Sequence, residues 1–119
     1  MNRQKREITV TAPRFNAYAM YIDLIGAKHR LSISALSVAA FLAERYVEVL
    51  EKGVDNVDII NTIVMSKETK AEIRTALSMS HQNYNNVLIT LRQAEIIVDG
   101  KFNEAYLPHD ELVFKFKTK

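Results

Sequence analysis

Apolar and polar positions alternate first in "EITVTA", residues 7–12, which predicts a short strand that Pro13 stops. From Phe15 the period changes. Phe15, Tyr18, Ile22 and Ile25 recur three and four apart, which predicts a helix broken near Gly26. The segment "SISALSVAAFLAERYVEVLEKG" predicts a longer helix, capped by Ser32 or Ser34 and terminated by Gly53. Its inward stripe is expected at Leu36, Ala39, Ala40, Ala43, Val47 and Leu50, with Glu44, Glu48 and Glu51 on a solvated face. Residues 54–66 read as a loop followed by a short β-branched strand around Thr62–Met65.

Ser66 is placed to cap a helix from Lys67 to Leu77, with Thr69, Ile73, Ala76 and Leu77 turned inward. "SMS" interrupts it, and Ser80 caps a further helix from His81 to about Glu95. Behind that helix, "IIVDGKFNEAYL" predicts two strands joined by Asp99-Gly100. This dipeptide favours a type I′ turn, because both central residues need positive φ. The last run, "LVFKFKTK", predicts a basic edge strand with Phe114 and Phe116 on one face and Lys115, Lys117 and Lys119 on the other.

With 119 residues, 48% hydrophobic and 25% charged, the chain fits one globular domain. The expected division is a basic arm or strand over 1–13, a main domain over 14–108 and a basic strand or tail over 109–119. The fold class expected is mainly α with a small β component. The absence of cysteine excludes disulfides, thiolate metal sites and thiol catalysis. No apolar run approaches the 18 or so residues of a membrane span, and "MNRQKREITV" has no apolar signal core, so a cytoplasmic protein is expected. Net charge is only +2, but it is unevenly spread. Residues 1–30 hold six bases against two acids, and residues 31–63 hold five acids against two bases.

The order helix, three-residue turn, helix, hairpin is that of a winged helix-turn-helix. "KAEIRTALSMSHQNYNNVLITLRQAEII" resembles that family's pattern at Ile73, Leu77, Met79, Ser80, Asn83, Tyr84, Leu88, Leu91, Ala94, Ile96 and Ile97. The stretch "RFNAYAMYIDLIG…LSISALSVAAFLAERY" is similar to the front helices of small winged-helix proteins of plasmids and phages, including RepL-type replication initiators. The resemblance covers roughly residues 13–108. It departs from the pattern at Asn83, usually Thr, and at Ala94, usually Gly. It implies a duplex-DNA binder acting in replication initiation or transcription regulation, with the outward face of the second helix in the major groove.

At 100° per residue, Tyr84, Val87, Leu88, Leu91 and Ala94 share one side of that helix. Gln82, Asn85, Asn86, Ile89 and Gln93 gather opposite, with His81 and Arg92 at one border. Asn or Gln can donate to and accept from adenine at once, and Ile89 suits a thymine methyl. Asn is a poor helix former, so three of them in one short helix are mildly unfavourable without a use. Phosphate contacts are expected from Lys67, Lys70 and Arg74, spaced i, i+3, i+7, together with Arg92 and Lys101 at the hairpin tip. The candidate DNA-binding set is therefore Lys67, Lys70, Arg74, His81, Gln82, Asn83, Asn85, Asn86, Ile89, Arg92 and Lys101.

No Lys or Arg lies between Ser80 and Leu91. An isoleucine ringed by amides also describes a protein-binding hot spot. The competing expectation is thus a winged helix used for protein–protein contact or self-association, such as a phage structural or accessory component. His29, His81 and His109 are scattered, and no HExxH, phosphate loop or Gly-x-Ser-x-Gly elbow is present. The sequence predicts no enzyme, no metal and no cofactor.

Overall fold

The computed structural model describes residues 5–8, 14–107 and 114–117, with side chains from Phe15 to Leu107. Five α-helices lie among them: α1 (Arg14–Ile25), α2 (Ile33–Glu51), α3 (Val57–Val64), α4 (Lys67–Leu77) and α5 (His81–Gln93). Strands β2 (Ile97–Val98) and β3 (Lys101–Phe102) form an antiparallel hairpin. Strands β1 (Lys5–Ile8) and β4 (Phe114–Lys117) pair antiparallel in a second two-stranded sheet, with Lys5 opposite Lys117 and Ile8 opposite Phe114. The chain is therefore mainly helical with a small β component. The strand expected over 7–12 shares only Glu7 and Ile8 with β1, and its remainder and Pro13 lie outside the described residues. So do residues 1–4, 108–113 and 118–119 and the expected Phe/Lys faces of β4.

Helix α2 is the hub, since α1, α3, α4 and α5 all pack on it. Ser32 caps it by accepting from the Ala35 N–H, and Gly53 follows its end at φ +94°. Its buried residues are Ala35, Val38, Ala39, Ala40, Leu42, Ala43, Tyr46 and Val49. Of the expected stripe, Ala39, Ala40 and Ala43 are buried, and Leu36 and Val47 pack half-buried against the core. Four neighbouring helices bury more than one face, while Leu50, in the last turn, is 41% exposed. On α4, Thr69 and Ile73 are buried and Leu77 packs half-buried against the core, but Ala76 is exposed.

The strand expected around Thr62–Met65 is instead the end of α3. Asn56 caps that helix by accepting from the Asp58 and Ile59 N–H groups at 3.0 and 3.2 Å. Ile60, Asn61 and Val64, at helical spacing, bury together. A short β-branched run is ambiguous between helix and strand, and here the gain from packing overrides its β preference.

The chain between α4 and α5 turns in three residues, with Ser78 left-handed at φ 52°. Ser66 and Ser80 cap the two helices through the Thr69 and Asn83 N–H groups. Helix α5 ends at Gln93, two residues before the expected limit, and Glu95 is left-handed at φ 58°. At the hairpin, Asp99 and Gly100 have φ 53° and 73°, the combination a type I′ turn requires. Ile97 and Phe102 oppose each other and are buried, while Val98 and Lys101 oppose each other and are exposed. Beyond the hairpin, the Tyr46 hydroxyl donates to Glu104 at 2.7 Å and the Tyr106 hydroxyl to the Ala94 carbonyl at 3.4 Å. These bonds hold the ribbon's far end to the helical core.

Candidate nucleic-acid interface

Helix α5 separates its two sides as its spacing predicts. Tyr84 and Leu91 are buried, Val87 and Leu88 half-buried, and Ala94 beyond its end is buried. His81, Gln82, Asn83, Asn85, Asn86, Ile89, Arg92 and Gln93 are exposed, Ile89 at 49%. The burial of Tyr84 and Leu91 seats the helix, and that seating fixes which amides face outward.

At 100° per residue the outward arc has three parts. His81, Asn85 and Arg92 occupy one flank, Gln82, Asn86, Ile89 and Gln93 the centre, and Asn83 the other flank. Beside the first flank lies a cleft of about 310 Å³ between the start of α4, α5 and the hairpin turn. Lys67, Lys70 and Arg92 line it with Ser66, Tyr84 and Gly100, over a floor of Met65, Leu88 and Ile97. Three cations and no carboxylate make this cleft electropositive.

Within it, the Lys70 ammonium sits 5.6 Å from the centre of the Tyr84 ring. It donates to Asn85 Oδ1 at 3.3 Å and lies 3.4 Å from His81 Nε2. Burial raises the Tyr84 phenol above its ordinary pKa, so the ring remains neutral beneath the ammonium. Cations near the helix thus come from α4, across space, and from Arg92 in the last turn of α5.

The remaining predicted cations are engaged elsewhere. Arg74 Nε donates to the Met79 carbonyl at 3.3 Å, bracing the turn between α4 and α5. The expected row of Lys67, Lys70 and Arg74 therefore divides, with the two lysines in the cleft and Arg74 at the turn. Lys101 pairs with Asp58 of α3 at 2.6 Å, and that hydrogen bond holds the ammonium above its ordinary pKa. Glu72 pairs with Arg45 of α2 rather than with a lysine of α4.

Three contributors escape sequence reasoning. Asn61, 4% exposed, accepts the Phe102 N–H at 2.8 Å and ties α3 to the hairpin. Its signal in the sequence is an amide set inside the apolar run "IINTIV". Tyr84 serves as a shelf for Lys70 as well as a core residue. On the Asn83 flank, Ile33 at 83% exposure borders a groove with Leu77, Met79, Asn83, Asn86 and Val87. No local pattern announces that groove, because α2, the end of α4, the turn after it and α5 form it together.

Among the described residues no group of His, Asp or Glu side chains could hold a metal, and no helix is long and apolar enough to cross a membrane. Comparison with protein-family models, with curated proteins and with solved structures finds no match for this chain.

Proposed function

We propose that this chain is a sequence-specific duplex-DNA-binding module of the winged helix-turn-helix type. In this reading α4, the Ser78–Ser80 turn and α5 are the helix-turn-helix, and the β2–β3 hairpin is the wing. The observation that carries it is the juxtaposition of the exposed amides of α5 with a cleft holding Lys67, Lys70 and Arg92 and no carboxylate. Gln82, Asn85 and Asn86 contact base edges, Ile89 meets a thymine methyl, and the cleft cations take phosphates. His81 and Asn83 border the reading face on its two flanks. Arg74 acts mainly through the turn it braces. A role in replication initiation or transcription regulation of a phage- or plasmid-type element rests on the sequence resemblance alone.

The test is a salt series of duplex binding. Each neutralised phosphate contributes a slope of about −0.9 in log K against log salt, so three cleft cations give about −3 or steeper. Replacing Asn85 by Ala is expected to change sequence preference more than overall attraction, and replacing Lys67 by Ala the reverse. Undetectable duplex binding at about 50 mM salt, where phosphate attraction is strong, overturns the proposal. The Ile33 groove beside Asn83 and Asn86 favours one second reading, a protein-interaction module. A stable complex with another protein, without duplex binding, is its expected signature.

A further inference from the structure

Lys70 joins the charged cleft to the amide face, and its chemistry limits what that face can read. An ammonium has three hydrogens and no lone pair, so it is the donor in every hydrogen bond it makes. At its 3.3 Å contact the oxygen of Asn85 is therefore the acceptor, turned back toward α4. The two ends of a planar amide point apart, so the NH2 group of the exposed Asn85 is directed away from the Lys70 ammonium. Asn85 is exposed on this flank of α5, with its donor end presented and its oxygen drawn toward Lys70.

Base edges in the major groove differ in this respect. Adenine needs a partner that donates to N7 and accepts from N6, whereas guanine offers two acceptors, N7 and O6, and no donor. Thymine offers a single acceptor beside a methyl group. A side chain whose oxygen is held by another donor and whose NH2 group is presented is therefore better matched to guanine than to adenine.

Resting on the proposed reading of α5 as a base-contacting helix, we infer that Lys70 is a positioning residue that presets Asn85 to read guanine rather than adenine. The half-buried stem of Lys70 and its seat over the Tyr84 ring hold the ammonium in place to do so. It sets preference by turning another residue's amide, not by touching the base.

Selection from a randomised duplex pool, with the whole chain, tests this. Wild-type protein is expected to enrich guanine at one position whose preference disappears in Asn85→Ala. Lys70→Met keeps most of the stem and deletes the donors, so the amide can rotate and that position is expected to shift toward adenine. Lys70→Arg keeps the donors and is expected to retain guanine. Substituting 7-deazaguanine there removes one acceptor and is expected to weaken wild-type binding by about tenfold, within the range of a lost base contact. Adenine at the Asn85-dependent position in the wild type overturns the inference. So does unchanged guanine preference in Lys70→Met with affinity alone reduced, because Lys70 then acts only as charge. Absence of any selected duplex overturns the DNA-binding reading itself, a result distinct from either of these.

Discussion

Asn61 Oδ1 accepts a hydrogen bond from the backbone N–H of Phe102 at 2.8 Å, across 41 residues of chain and inside the core. The same amide donates through Nδ2 to the Val57 carbonyl at 2.9 Å. One side chain therefore satisfies the hairpin backbone and grips its own helix, which makes α3 the support on which the ribbon rests. In Asn61→Ala the Phe102 N–H is left buried and unpaired, a loss of about 1–3 kcal/mol. Urea denaturation is expected to show that loss with helical content retained. The Phe102 amide is expected to exchange with solvent faster than in the wild type.

Gly100 has φ +73°, and a Cβ built there would meet nothing within 4 Å. A substitution at this site is thus felt through the backbone alone. Gly100→Val is expected to lose about 1–2 kcal/mol, the cost of forcing a side chain into the left-handed region. Gly100→Asn is expected to lose less, because Asn tolerates that region. Denaturation midpoints of the two variants check the order, and equal losses would contradict it.

The pair between Lys101 and Asp58 is exposed at both partners. Replacing Asp58 by Asn is therefore expected to leave thermal stability almost unchanged. It also releases the hairpin-tip ammonium from its carboxylate. On the proposed function, duplex binding tightens at low salt and the salt slope steepens by about one phosphate. Tighter binding that persists unchanged at high salt would argue against electrostatic release.

Tyr46 is 1% exposed, and its hydroxyl donates to Glu104. Burial first, and then that hydrogen bond, push its pKa up to about 12. The folded value lies above the unfolded one of about 10, so this contribution to stability is complete below pH 10. It is lost as the pH rises through about 12. Tyr46→Phe is expected to show a shallower decline of stability over that window. Tyrosinate absorbance during alkaline titration, compared between the wild type and Tyr46→Phe, identifies the late-ionising group.

The amide face of α5 was readable from the spacing of Tyr84, Leu88 and Leu91, since a helix that buries one stripe must expose the other. The turns were readable for a similar reason. Ser66 and Ser80 satisfy N–H groups three residues ahead, and Asp99-Gly100 meets a backbone demand of its own. The α3 segment is not legible locally, because its eight residues suit either state. Only the fit of Ile60, Asn61 and Val64 into the core makes it a helix.

Periodicity, caps and turn chemistry along the chain determined the three-residue turn, the two helices around it and the ribbon behind, because each depends on residues within a few positions of one another. The tertiary structure decided which charges serve the candidate site. Lys70 reaches Asn85 from 15 residues away, Arg74 spends a donor on the turn, and Lys101 meets Asp58 from another helix. Such pairings depend on how separate elements dock, and docking is set by the whole core rather than by any short window of sequence.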